Sequence, residues 1–326
     1  MPENMNAIVI SSFGGPEVLE YRTVPKPVPG PGEVLIRVHA FGLNHADIHM
    51  RKGEWEEWNP ISGLECVGTV AACPSGSLAV GIKVVGVMGG MGRSRPGGYG
   101  EFVTVPLANV LPIDTILPWE ELAALPEVYS TAWSCLFTIL DLQRGERLLI
   151  RGATSTIGQA ALHLAVDAGA TVTVTTRREE RFEWLKKLGA VDAVHEQDGL
   201  DKRLEDIHFD KVLNLVGNRV LVESIELTKT GGRILQAGWL GGLAPVKEFN
   251  PMVEMKTGVH FSLFHSKVLG SREFPLSGIP LQDIVRKIEA GKWDAKPVKV
   301  FEYRDIHIAH RALDSHDTGG KIVVTH

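Results

Sequence analysis

The most specific chemistry in this sequence lies in a run of small residues, Gly152-Ala153-Thr154-Ser155-Thr156-Ile157-Gly158. Small side chains let a backbone approach a charged ligand closely, and a following helix would offer free N–H groups to an anion. The spacing Ala153-x-Ser155-x-x-Gly158 is a degenerate form of the Gly-x-Gly-x-x-Gly turn that cradles a dinucleotide pyrophosphate. Small residues also build ordinary strand-to-helix turns, so the flanks must decide. About twenty residues beyond such a turn, NAD-binding chains place an acid on the ribose. Here Arg177 and Arg178 occupy that place, and basic residues suit the 2′-phosphate of NADP instead. Glu179 and Glu180 follow at once, and read most simply as first-turn acids of the next helix.

The flanks fit a strand–turn–helix–strand unit. Leu148–Ile150 is a short apolar strand, and Ala160, Ala161, Leu164, Ala165 and Ala168 recur at helical spacing. Thr171–Thr176 alternates as a second strand. Further strands are predicted over 191–194, 211–216, 233–237 and 259–263, with helices over 156–168, 179–188 and 219–228. Alternating strands and helices imply a parallel sheet covered on both faces. Residues 6–118 read differently, as short strands broken by Gly and Pro, with a short helix over 46–51. That pattern predicts a small β-barrel-type domain. Helices are expected over 120–125 and 129–140. Beyond Phe264 come amphipathic helices over 281–290 and 306–315 and a strand over 321–324, predicted to return to the first domain.

The 326 residues suffice for two domains, and 44% hydrophobic with 22% charged residues is ordinary for a globular protein. A net charge of −5 argues against nucleic acid or an anionic membrane as partner. Cys66, Cys73 and Cys135 are too few for a disulfide framework. The sequence opens without a basic or apolar leader pattern, and no apolar run approaches membrane-spanning length. The expectation is a protein of the cytoplasm.

The order of parts resembles the medium-chain dehydrogenase/reductase superfamily, and within it the zinc-independent quinone oxidoreductase and enoyl reductase group. The segments that carry the resemblance are Phe13–Leu19, Pro31–Val38, Gly42–Asn44, Gly98–Phe102, Leu188–Ala190 and Gly319–Val323. It implies an α/β fold: a GroES-like β-barrel-type domain over 1–122, completed by 266–326, and a Rossmann-type doubly wound parallel sheet over 123–265. Zinc alcohol dehydrogenases of the superfamily carry a Cys where this chain has Asn44 and a His where it has Leu64. Two expected ligands are therefore missing, and no metal is expected.

Without a metal, the resemblance implies an NADPH-dependent hydride transfer to a quinone or an α,β-unsaturated carbonyl. His49, where many quinone oxidoreductases have Tyr, is the first candidate proton donor; a solvent-facing helix histidine is the plain alternative. Asn44 matches an Asn near the nicotinamide and is a second catalytic and cofactor candidate. Thr131 matches a Thr at the nicotinamide end. Ala153, Thr154, Ser155, Thr156, Ile157 and Gly158 would line the pyrophosphate turn, and Thr176, Arg177 and Arg181 the adenosine 2′-phosphate. A Tyr that packs near the adenosine phosphate in the family is replaced by His195 or Glu196. Val216, Gly217, Gly238 and Trp239 end consecutive strands, Leu263 and Phe264 would close the pocket, and Lys321 resembles a basic residue near the nucleotide phosphate, unless it is an exposed strand lysine. Partners implied are a small electrophilic acceptor and a second copy of the chain. Two other readings stay open: a catalytically weak nucleotide-binding relative, and a zinc-type alcohol dehydrogenase.

Overall fold

A computed structural model describes residues 3–315 and 318–326. The chain divides into two units, Met1–Ser130 with Ser266–His326, and Thr131–His265. The strands are β1 (Asn4–Ile10), β2 (Leu19–Pro25), β3 (Glu33–Gly42), β4 (Glu65–Ala72), β5 (Lys83–Val87), β6 (Phe102–Pro106), β7 (Val110–Pro112), β8 (Arg147–Arg151), β9 (Thr171–Thr176), β10 (Asp192–His195), β11 (Phe209–Asn214), β12 (Thr228–Gln236), β13 (His260–Leu263), β14 (Lys299–Glu302) and β15 (Ile322–Thr325). The α-helices are α1 (His45–Lys52), α2 (Trp119–Leu122), α3 (Pro126–Trp133), α4 (Thr156–Asp167), α5 (Phe182–Lys187), α6 (Leu200–Arg203), α7 (Leu221–Glu226), α8 (Pro251–Glu254), α9 (Leu281–Glu289) and α10 (Ile306–Asp314).

In the first unit, β1 and β2 form a hairpin-like pair, and a larger sheet runs β14-β15-β3-β4-β5-β7 with β6 on β3. The late strand β15 pairs antiparallel with β3, from Val323 opposite Gly42 to Thr325 opposite Ala40. Its core joins both ends of the sequence. Ile8, Ile36, Phe41, Cys66 and Tyr99 pack in one cluster with Tyr303, Ile306, Leu313 and Val324. The late segment therefore buries its apolar face against the early strands rather than forming a core of its own.

In the second unit, six strands lie in the order β10-β9-β8-β11-β12-β13, all parallel. The strand order reverses between β8 and β11. In such sheets ligands bind outside the carboxyl ends of the strands at that switch point.

Several boundaries differ from the sequence reading. The helix expected over 129–140 begins earlier, at Pro126, and changes after Trp133 into a π-helical turn over Ser134–Ile139. Proline suits the first helical turn because its missing N–H has no partner there anyway. The helix expected over 120–125 is the four-residue α2. The one expected over 179–188 opens with a 3-10 turn at Glu179–Arg181. Strands β2, β7 and β14 went unread. They are short or largely exposed, so no apolar alternation marks them. Among the described residues, no helix is long and apolar enough to cross a membrane.

Candidate functional site

Each unit gathers its own cluster of candidate residues. In the first, α1 sets the frame. Asn44 caps it, and the Asn44 backbone N–H donates to Asp47 Oδ2 at 2.9 Å. That is the N3-to-cap half of a capping box. The Asn44 side chain turns elsewhere. Its Nδ2 donates to Glu65 Oε1 at 2.9 Å, and Lys321 Nζ donates to Asn44 Oδ1 at 2.7 Å and to Glu65 Oε1 at 2.6 Å. Glu65 Oε2 accepts the backbone N–H of Glu127 at 2.8 Å. Glu65 is fully buried and Lys321 is 6% exposed, so each charge has lost most of its water and is held by the other. Lys321 is thus not an exposed strand lysine, and both ends of the Asn44 amide are engaged within the cluster. A side chain on Gly42 would put its Cβ 2.4 Å from Lys321 Cε and 2.6 Å from Glu65 Oε1, which explains the glycine at the end of β3.

Asp47 is also fully buried, and accepts from Ser62 Oγ at 3.0 Å. Burial pushes its carboxyl up to about 6, against the pull of the Asn44 and Ser62 hydrogen bonds. Behind it lies a buried chain. Arg51 donates to His310 Nδ1 at 3.3 Å and to both Asp314 carboxylate oxygens at 2.8 and 2.9 Å. Arginine has no acceptor, so Nδ1 must accept, and the His310 proton sits on Nε2, 2.9 Å from Tyr99 Oη. Burial, with the Arg51 charge beside it, pushes His310 down to about 3.

His49 lies in the last turn of α1, apart from the Asn44 cluster. Gly53 ends the helix in the left-handed region, φ 70°, and turns the chain back on itself. Glu54 and Trp55 therefore lie against His49. His49 Nδ1 is 2.5 Å from Glu54 Oε2, and its ring stacks on Trp55 with centroids 5.0 Å apart and planes at 15°. The Arg93 guanidinium sits over Trp55 at 4.7 Å. A carboxylate can only accept, so Glu54 fixes a proton on Nδ1. The sequence reading did not name Glu54. The readable signal for Glu54 was the glycine stop one residue before it.

In the second unit, the turn after β8 has the expected form. Ala153 is buried, and Thr154, Ser155, Thr156 and Ile157 are half-buried. Ser155 caps α4: its hydroxyl accepts from Gly158 N at 3.1 Å and donates to Gly152 O at 2.8 Å. That cap leaves the first-turn N–H groups of Thr156 and Ile157 without intrahelical acceptors. A Cβ on Gly158 would meet the Ala153 Cα and Gly152 O at 2.7 Å, so helix and turn touch as a phosphate cradle requires. Buried Thr176 ends β9 with its hydroxyl 3.5 Å from that of Thr154, and accepts from Arg178 N at 3.2 Å. Arg177 is exposed, and Arg181 lies over the Trp184 ring at 5.5 Å.

The remaining candidates follow along the same sheet edge. Past β11, Gly217 adopts φ 106° and exchanges hydrogen bonds with the Asn214 side chain, next to buried Val216. Gly238 and Trp239 follow β12, and Trp239 stacks on His265 at 5.1 Å. Phe264 is buried and donates its N–H to Gln236 O, whereas Leu263 is half-exposed on β13. Thr131 is buried on α3. Of the two residues at the altered tyrosine position, His195 bonds Gln197 near the surface, and Glu196 is buried against Arg151.

A zinc ion does not fit the donor set of the first unit. Asn44 and buried Leu64 offer neither thiolate nor imidazole, and the Glu65 carboxylate is taken by the Lys321 ammonium. Among the described residues no three His, Cys, Asp or Glu side chains converge. A dinucleotide fits the second unit, where the small-residue cradle and the capped helix N-terminus lie at the switch point.

Residues 30–115 match the model of the alcohol dehydrogenase GroES-like domain, and residues 156–275 that of zinc-binding dehydrogenases. The chain is 30% identical over 245 residues to the synaptic vesicle membrane protein VAT-1 homolog of Rattus norvegicus, covering 72% of this chain and 59% of that protein. It is 28% identical over 317 residues to quinone oxidoreductase of Rattus norvegicus, covering 92% and 90%. The crystal structure of CurK enoyl reductase superposes with a TM-score of 0.81 at 26% identity, over 98% of this chain and 99% of that one. With both family models placed in order along it and a quinone oxidoreductase aligned over nearly its whole length, the chain belongs to the medium-chain dehydrogenase/reductase superfamily.

Proposed function

We propose that the protein is an NADPH-dependent, zinc-independent reductase acting on a quinone or an α,β-unsaturated carbonyl. The observation that carries this reading is the end of β9. Thr176 is followed by exposed Arg177, where NAD-specific chains place an acid, and Arg181 ends the 3-10 turn four residues on. The missing zinc ligands, and the similarity to quinone oxidoreductase and enoyl reductase, support the zinc-independent chemistry.

In this reading the reduced nicotinamide supplies hydride when bound. Ala153–Gly158 and the first turn of α4 hold the pyrophosphate, and Thr176, Arg177 and Arg181 hold the 2′-phosphate. Thr131, Val216, Gly217, Gly238, Trp239, Leu263 and Phe264 frame the rest of the dinucleotide. Negative charge develops on the acceptor oxygen, and His49 as imidazolium delivers a proton there from Nε2 while Glu54 holds Nδ1–H. Asn44 and Lys321 serve from their shared cluster with Glu65, Lys321 fixing the amide orientation rather than meeting a phosphate. A homodimer through β13 is supported by its outer edge, where Phe261 and Leu263 are 41% and 50% exposed.

Fluorescence titration with NADPH and NADH tests the cofactor, and turnover on a panel of quinones and enones tests the reaction. Tight NADPH binding with turnover of either acceptor class is expected. A strong preference for NADH would falsify the cofactor assignment. One observation favours a second reading, a nucleotide-binding relative with little activity: both ends of the Asn44 amide are spent inside the protein. NADPH binding with no turnover on any acceptor would establish it.

A further inference from the structure

The phosphate turn stands on an unusual foundation. Arg151, the last residue of β8, is fully buried directly before Gly152. Its guanidinium meets the Glu196 carboxylate in a two-point contact, Nε to Oε2 at 3.1 Å and Nη2 to Oε1 at 2.5 Å. It also donates to Ser224 Oγ at 3.0 Å, Val220 O at 3.2 Å and Glu223 Oε2 at 3.0 Å. Glu196 is 4% exposed. Its Oε2 accepts the hydroxyl of fully buried Thr175 at 2.5 Å, and Thr175 Oγ1 accepts the backbone N–H of Gly152 at 3.1 Å. Ala153 N donates to Thr175 O at 3.0 Å, so one threonine holds two successive amides of the turn.

The direction of this chain is fixed by chemistry. A carboxylate only accepts and a guanidinium only donates, so the single Thr175 hydroxyl proton must point at Glu196. Its oxygen is then turned to the Gly152 amide. An ion pair in a dry interior holds its geometry, because leaving either charge unpaired there is costly. The usual fingerprint shapes the turn with glycines, whereas this one has Ala153 and Ser155 at those places. Through the Thr175 hydroxyl the Glu196 carboxylate reaches the Gly152 amide of the turn.

We infer that Glu196 and Thr175, locked by Arg151, are positioning residues for the pyrophosphate turn: they set its amides, and so the affinity for the diphosphate bridge of a dinucleotide. The inference rests on the nucleotide-binding reading. It concerns the turn and not the 2′-phosphate residues, so the two claims separate in one experiment.

The test is binding of NADP+ and of 2′-AMP, measured calorimetrically on the full chain and on Thr175→Val and Thr175→Ser. The valine keeps the volume and removes the relay hydroxyl, and the serine restores it. NADP+ meets the turn and the 2′-phosphate residues, whereas 2′-AMP lacks the diphosphate and reports only the latter. Thr175→Val is expected to weaken NADP+ roughly tenfold, as loss of one well-placed hydrogen bond does, with 2′-AMP unchanged. Thr175→Ser should bind both as the parent does. Unchanged NADP+ binding by Thr175→Val overturns the inference, and so does equal loss of both ligands, which would mark a general disturbance of the sheet. If the parent binds NAD+ in place of NADP+, the NADPH reading fails while NAD+ against adenosine still decides the turn. If the parent binds no dinucleotide, both fall.

Discussion

The Lys321 ammonium and the Glu65 carboxylate face each other at 2.6 Å, both buried, one from the residue directly before β15 and the other from the start of β4. Glu65 follows Leu64, and its carboxylate is held by a side-chain cation from far along the chain. Removing one partner leaves the other charge buried and alone. Lys321→Met should therefore destabilise the protein by about 3–5 kcal/mol, and Lys321→Met with Glu65→Gln by much less. Urea unfolding of the two variants checks this. A loss for the double variant equal to the sum of the losses of Lys321→Met and Glu65→Gln, each measured alone, would show that the pair is not coupled.

Asp47 and His310 give the first unit opposed pH dependences. The Asp47 carboxyl is raised from 3.8 to about 6 by burial. Its folded pKa lies above the unfolded one, so its neutral form favours folding at low pH, and that contribution is lost as pH rises from about 4 to 6. At about 1.4 kcal/mol per pKa unit, the change is on the order of 3 kcal/mol. Asp47→Asn should flatten stability across that window. A pH series of unfolding free energies in which parent and variant run parallel would refute the assignment.

His310 works the other way. Burial holds it at about 3 against an ordinary 6.5. The unfolded histidine takes up a proton first, so stability falls as pH drops below 6.5 and continues to fall to about 3. His310→Gln, with an amide to replace the ring, should reduce this acid loss while costing stability at neutral pH through the Tyr99 contact. Acid unfolding midpoints of parent and variant are the measurement, and an unmoved midpoint counts against a buried neutral histidine.

If His49 delivers the proton, His49→Phe should lower turnover roughly a hundredfold, the usual scale for a lost general acid, and leave NADPH affinity intact. Glu54→Gln should lower turnover less, because it removes the partner of Nδ1 and leaves the ring. Steady-state rates on the best acceptor from the panel decide. Full activity in His49→Phe removes the histidine from the reaction.

Arg177 is exposed at the end of β9, and a charge-assisted bond to phosphate contributes about 1.5–3 kcal/mol. Arg177→Ala should weaken NADPH by roughly ten- to a hundredfold, with each 1.4 kcal/mol a factor of ten, and should not touch NADH. Equal weakening of both cofactors would place Arg177 somewhere other than at the 2′-phosphate.

Local pattern was enough for much of this protein. Leu148–Ile150, the run of small residues and the Ala-rich periodicity of α4 state a strand, a turn and a helix in consecutive residues, because each depends on neighbours in sequence. Asn44 and Leu64 count against zinc by side-chain chemistry alone. What no local pattern could show are pairings between residues far apart in the chain. Lys321 reads equally as a basic residue near the nucleotide phosphate and as an exposed strand lysine until β15 lies beside β3 and carries it to Glu65 and Asn44. Glu196 reads as a lost tyrosine until the parallel order β10-β9-β8 stacks it over Thr175 and Arg151. Buried charges are the physical reason. A charge is tolerated inside only where a partner from elsewhere in the chain meets it, so the identity of that partner is written in the tertiary fold and nowhere in the neighbouring residues.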